Sequence, residues 1–162
     1  MIRRLTVLLL IVLISGCGFK LRGMVDMPAW LNNISITVKS AHQDLASMLK
    51  DSFQSWGVKT TDDPTRADYL LIIESDTSQQ QITSVSASTT PRQYLLTYTV
   101  VYSLLKGNGT PVATSNIVTI SRQLTVNNDR ILGSDAEEST IYAEMRREAV
   151  MQIINRLSKK QV

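Results

Sequence analysis

Tyr94-Leu95-Leu96-Thr97-Tyr98-Thr99-Val100-Val101-Tyr102-Ser103-Leu104-Leu105 is the longest strand signal in the chain. Tyr94, Leu96, Tyr98, Val100, Tyr102 and Leu104 fall on one side of a pleated strand, an unbroken row of aromatic and aliphatic residues. Leu95, Val101 and Leu105 share the other side with Thr97, Thr99 and Ser103. A period of two, built from β-branched and aromatic side chains, is the pattern of a strand with one face in a core.

The neighbouring segments extend this strand into a sheet. Lys106-Gly107-Asn108-Gly109-Thr110-Pro111 follows it, and Asn-Gly is the strongest short hairpin signal. Asn116 to Val126 returns as a strand with Val118, Ile120, Leu124 and Val126 on one face. Arg122 falls on that same face, which suits an end or a solvated edge. Before the central strand, Ser75 to Thr90 is dominated by serine, threonine and glutamine, with only Ile82, Val85 and Ala87 apolar. It reads as an extended, solvated β-tip rather than a plain linker, because Ile82-Thr83-Ser84-Val85 keeps strand propensity. Tyr69-Leu70-Leu71-Ile72-Ile73 is a continuous apolar run, the pattern of a strand covered on both faces.

Upstream, Ile34, Ile36 and Val38 alternate with Ser35 and Thr37 as a half-buried strand. Ser40 and Gln43 have the spacing of a capping box. Leu45, Met48, Leu49, Phe53 and Trp56 then recur at helical spacing, a stripe for the core rather than a ligand box, and Gly57 stands where a helix C-terminal glycine belongs. His42, the only histidine, is a surface or capping residue on this reading. Thr60 to Arg66 is a polar turn. Strand, helix and strand in this order predict a right-handed crossover between parallel strands. At the other end, Asn127 to Gly133 reads as a loop and Ser134 with Glu137 as a second capping box. Ile141, Met145, Ala149, Ile153 and Leu157 form the stripe of a final helix. The expected fold is an α/β (α+β) two-layer sandwich: a mixed sheet of about four strands with two helices on one face, in a single domain over residues 31–162.

The first residues have a separate role. Arg3 and Arg4 precede an apolar run, Leu5 to Ile14, too short for a span that needs about 20 residues. Ile14-Ser15-Gly16-Cys17 ends it: an aliphatic residue, two small ones, then the only cysteine. This resembles a bacterial lipobox. It implies a signal peptide over 1–16, acylation of Cys17 and a lipidated extended arm over 17–30. A lone cysteine is ordinarily a small buried apolar residue; its place directly behind the apolar run argues against that. Gly18 follows, where an aspartate in such lipoproteins favours retention at the inner membrane, so the expected location is the outer membrane, anchored on its periplasmic side.

Of 17 basic and 14 acidic residues, Arg3 and Arg4 leave with the signal, and a net charge of +3 falls to +1. That near balance gives no basis for a nucleic-acid partner. One histidine and one lipidated cysteine remove most nucleophile–base pairs and the common zinc sets, the acidic residues do not cluster, and no glycine-rich loop opens a helix. No catalytic residue, metal site or cofactor other than the covalent lipid is expected, and the chain is not expected to be an enzyme. Arg92 stands beside Pro91 at the end of the polar tip and Arg130 before the last helix, and arginine matches phosphate in a bidentate way.

Cys17-Gly18-Phe19-Lys20-Leu21-Arg22-Gly23 resembles the mature N-terminus of the lipopolysaccharide-assembly lipoprotein family, LptE. The element order, Tyr94-Leu95-Leu96-Thr97-Tyr98 and Glu144-Met145 extend the likeness toward Leu157. The resemblance implies a plug inside the outer-membrane β-barrel LptD, a part in that barrel's assembly, and participation in inserting lipopolysaccharide, itself a ligand, into the outer leaflet, with Arg92 and Arg130 as the candidate lipopolysaccharide-binding residues. The alternative function for an anchored, non-catalytic domain is a periplasmic binding or activator lipoprotein for a peptidoglycan enzyme.

Overall fold

The computed structural model describes residues 27–85, 91–125 and 131–160, with the backbone alone at 91–92 and 131–135. The signal peptide, Cys17, most of the arm and Arg130 lie outside the described residues. The elements run β1 (Asn33–Ser40), α1 (Gln43–Ser55), β2 (Lys59–Thr61), a 3-10 turn (Pro64–Arg66), β3 (Tyr69–Val85), β4 (Pro91–Lys106), β5 (Pro111–Thr125) and α2 (Ile131–Ser158). The sheet has the order β2-β1-β3-β4-β5. β1 is parallel to β2 and β3, and β3, β4 and β5 are antiparallel. The architecture is the expected α+β sandwich with five strands instead of about four. The additional strand is β2, whose Thr60 and Thr61 had the composition of a turn; three residues are too few to show a period, and only the parallel edge of β1 recruits them.

Leu96, Tyr98, Val100, Tyr102 and Leu104 of β4 are buried, as expected from the alternation. Their neighbours across the ladder, Leu71 and Ile73 of β3 with Val118, Ile120 and Leu124 of β5, complete the sheet's inner surface. Leu45, Leu49 and Phe53 of α1 and Met145, Ala149, Ile153 and Leu157 of α2 close over it in one core, so both helices lie on one face. Among the described residues the helices therefore cover the run Tyr69–Ile73 on one side only: Tyr69, Leu71 and Ile73 are buried, Leu70 and Ile72 half-buried.

The boundaries differ from expectation where local chemistry was overridden. α1 has His42 at its N-cap with no side-chain cap bond, so the Ser40–Gln43 box is not used. α2 begins at Ile131, and Gly133, assigned to a loop, is helical; a glycine costs a helix only about 1 kcal/mol relative to alanine, too little to stop it. The arm assigned to 17–30 ends inside packed structure, because Met27 and Trp30 lie against the core and Trp30 Nε1 donates to the Lys160 carbonyl at 3.1 Å. The end of α1 follows the sequence signal: Gly57 has φ of +78°, its N–H bonds the Gln54 carbonyl, and that of Val58 reaches back to Phe53.

Candidate interaction surface

Past Ser75, opposite the last residue of β1, β3 and β4 continue as an antiparallel hairpin, with β5 paired to β4 as far as Gln93 opposite Thr125. The β3–β4 register continues from Asp76 opposite Val100 to Val85 opposite Pro91, with irregularities near Ile82 and Ser84. Thr77 to Thr83 is exposed throughout, and Ile82 and Val85, at 53% and 55%, are among the most exposed large apolar residues described. The extended polar tip expected from Ser75 onward is thus a strand as far as Val85. Tyr142 of α2 anchors it by donating to the Gln79 carbonyl at 3.2 Å.

Asp76 is the root of this hairpin. It comes from β3 with its side chain 5% exposed, and it sits at the start of α1. One carboxylate oxygen accepts the His42 backbone N–H at 3.2 Å. The other accepts the Tyr98 hydroxyl at 2.6 Å and lies 3.0 Å from His42 Nδ1. A carboxylate here replaces the unused serine cap and meets the positive end of the helix dipole. Burial, then the hydrogen bond to Asp76, push the Tyr98 hydroxyl well above the usual tyrosine range. The trio of acid, phenol and imidazole is no catalytic relay: Tyr98 is fully buried and held neutral, and cannot meet a substrate. The sequence offered one cue to Asp76, a lone acid inside a serine, threonine and glutamine tract.

Arg92 lies at the second position of β4, at the far end of the hairpin. Gln93 pairs with Thr125, the last residue of β5, from which the chain leads on toward Arg130. The register thus brings Gln93, next to Arg92, and Thr125, five residues before Arg130 in the chain, to one end of the sheet. The side chain of Arg92, and Arg130 and Cys17 altogether, lie outside the described residues. Among the described residues no group of three or more His, Cys, Asp or Glu side chains is placed to hold a metal. Also among them, no helix is long and apolar enough to cross a membrane.

Residues 31–157 match the family model described as LptE, lipopolysaccharide-assembly. The LPS-assembly lipoprotein LptE of Pectobacterium atrosepticum is 27% identical over 150 residues, covering 92% of this chain and 80% of that one. The protein of the same name from Yersinia pestis strain Pestoides F is 28% identical over 159 residues, covering 96% and 75%. Among solved structures, a lipoprotein B from Nitrosomonas europaea superposes with a TM-score of 0.73 at 26% identity, covering 87% of this chain and 90% of that one. The rare lipoprotein B of Shewanella oneidensis shares the fold at a TM-score of 0.68 and 17% identity, covering 78% and 93%.

Proposed function

The chain belongs to the LptE lipopolysaccharide-assembly family, and from that premise we propose that it is an outer-membrane lipoprotein that plugs the LptD β-barrel, helps it assemble, and takes part in inserting lipopolysaccharide into the outer leaflet. In this reading Cys17 carries the anchor: acyl chains contribute about 0.8 kcal/mol per buried methylene, and more than one chain is needed for stable anchoring. Arg92 and Arg130 are the candidate contacts for lipid A phosphates. The observation that carries the proposal is the family match across nearly the whole folded body, residues 31–157. The hairpin supports it: the exposed polar stretch of β3, Thr77 to Thr83, suits the wet, polar interior of a large outer-membrane barrel. The test is purification of the tagged full-length protein from outer membranes in mild detergent. A stoichiometric complex with a large barrel is expected; a monomer alone would overturn the plug reading. Cys17→Ala should leave an uncleaved precursor without the anchor, and normal mobility and fractionation of that variant would refute the lipidation.

A further inference from the structure

Among the described residues no element covers the side of the sheet away from the helices, and its composition is unusual. Alternate β4 residues from Leu95 to Leu105, with their ladder partners in β3 and β5, make up its central rungs. None of these positions holds an Asp, Glu, Lys, Arg or His, in a chain whose residues are 19% charged. Thr77–Thr99–Thr119 and Gln79–Thr97–Ser121 are complete rungs of hydroxyls and amides. Aliphatic residues lie along the same side, and Ile117 is 53% exposed. Lys39 of β1 and Glu74, which the bulge between Ile73 and Ser75 leaves out of the β3–β4 register, lie outside these rungs.

A sheet surface meant for water ordinarily carries charges, partly to prevent sheet-to-sheet association. Loss of charge with retention of other polar groups is the mark of a surface that is covered in the working assembly. The occupant follows from the chemistry. Hydrocarbon is excluded, because rows of hydroxyls and amides would lose their hydrogen bonds there. A second copy fits poorly, since homodimer surfaces are markedly apolar and this one is dominated by threonine, serine and glutamine. Addition of a strand at an edge would leave this side uncovered, and on β5 the Ile117 and Ser121 carbonyls already accept bonds from Arg156 at 2.6 Å and Arg122 at 3.1 Å. What remains is face-to-face packing on another polar β-surface, which the inner wall of a barrel provides.

We infer that this uncharged side of β3, β4 and β5 is the surface that seats the protein against the inner wall of its barrel partner, on a patch of that wall that is itself hydroxyl- and amide-bearing. The inference rests on the plug reading and goes further by assigning the seat to one side of one sheet. Two experiments on the full-length protein co-expressed with the barrel test it. A photo-crosslinking residue in place of Thr119 should give an adduct of the mass of lipoprotein plus barrel, whereas one in place of Ser55, on α1, should give far less. Thr119→Lys, singly and with Thr99→Lys, should lower the barrel recovered per lipoprotein by about tenfold or more, because an unpaired charge is driven into the contact. Thr119→Ser should leave recovery unchanged, and the circular dichroism of each purified variant identifies any that fails to fold. An adduct between two copies, equal adducts from Thr119 and Ser55, or full recovery of folded lysine variants would each overturn the inference while wild-type co-purification left the plug reading intact. If wild type recovers no barrel, both fall.

Discussion

Asp76 concentrates more long-range bonding than any other described side chain, tying β3 to the start of α1 and to Tyr98 of β4. Removing its acceptors strands the Tyr98 hydroxyl in the core, so Asp76→Ala should cost about 2–3 kcal/mol in a denaturant titration, within the range for an orphaned buried group. Asp76→Asn, which keeps one acceptor, should cost less. The pH dependence has a definite sign. The folded state holds Tyr98 well above the unfolded tyrosine value of about 10, so its neutral form favours folding. That contribution is complete below about pH 10 and is lost as the pH rises from there toward the folded value. Tyr98→Phe should therefore flatten, without abolishing, the alkaline loss of stability, because burial raises Tyr102 in the same direction. An unchanged alkaline limb in the variant would refute this. At the end of α1 the left-handed Gly57 has nothing within 4 Å of an added Cβ, so Gly57→Ala carries backbone strain alone. About 1 kcal/mol is expected, read from the shift in denaturation midpoint.

At the scale of elements, β5 shows how an edge strand is kept from pairing. Arg156 of α2 bonds the Ile117 carbonyl, and Arg122 bonds that of Ser121 while pairing with Glu148. Exposed ion pairs contribute only about 0–1 kcal/mol, so Arg122→Ala with Arg156→Ala should barely shift stability. The doubly substituted protein should instead self-associate at concentrations where wild type sediments as one species, because two edge carbonyls become free. The sequence marked this edge: Arg122 broke the apolar face of its strand, which fits only a margin. Strands with an internal period were legible for the same reason, and β4 is buried on the side its alternation named. The overridden signals were those where a distant residue competed with a local one. Ser40 had the right spacing for a cap, yet a carboxylate from β3, thirty-four residues from His42, occupies the place. A three-residue strand such as β2 exists only through its neighbour. Of the candidate site, the chemistry of Cys17, Arg92 and Arg130 was readable as residue types, whereas the meeting of Gln93 and Thr125 at one end of the sheet emerges only from their pairing. The charge-free side of the sheet needed the ladder itself, since its members are scattered over three strands.

The whole molecule has two unlike ends. At one, Trp30 meets the Lys160 carbonyl and packs edge-on against Tyr69 with ring centroids 4.8 Å apart, so the first described residues join the body beside the first residue of β3. At the other, Val85 opposes Pro91, next to Arg92. β3 has 17 residues between these ends; at about 3.3 Å per residue it spans roughly 55 Å. A bilayer with its headgroups is about 40–45 Å thick. On the proposed function, a body joined at its base to a periplasmic-leaflet anchor and standing upright in a barrel brings its tip to the level of the outer leaflet, where lipid A phosphates reside. Arg92→Glu, next to the tip, with Arg130→Glu, the second proposed contact, should weaken binding of lipopolysaccharide to the purified protein and reduce its salt dependence. Each single change should have a modest effect, in keeping with the small value of exposed charge contacts, and the pair a larger one. Arg66→Glu, an exposed position in the turn before β3, should leave binding as it was. If the tip variants bind with unchanged affinity and salt response, phosphate recognition by this end of the molecule is refuted. If Arg66→Glu weakens binding as much as they do, the contact is a diffuse charge effect with no preference for the tip.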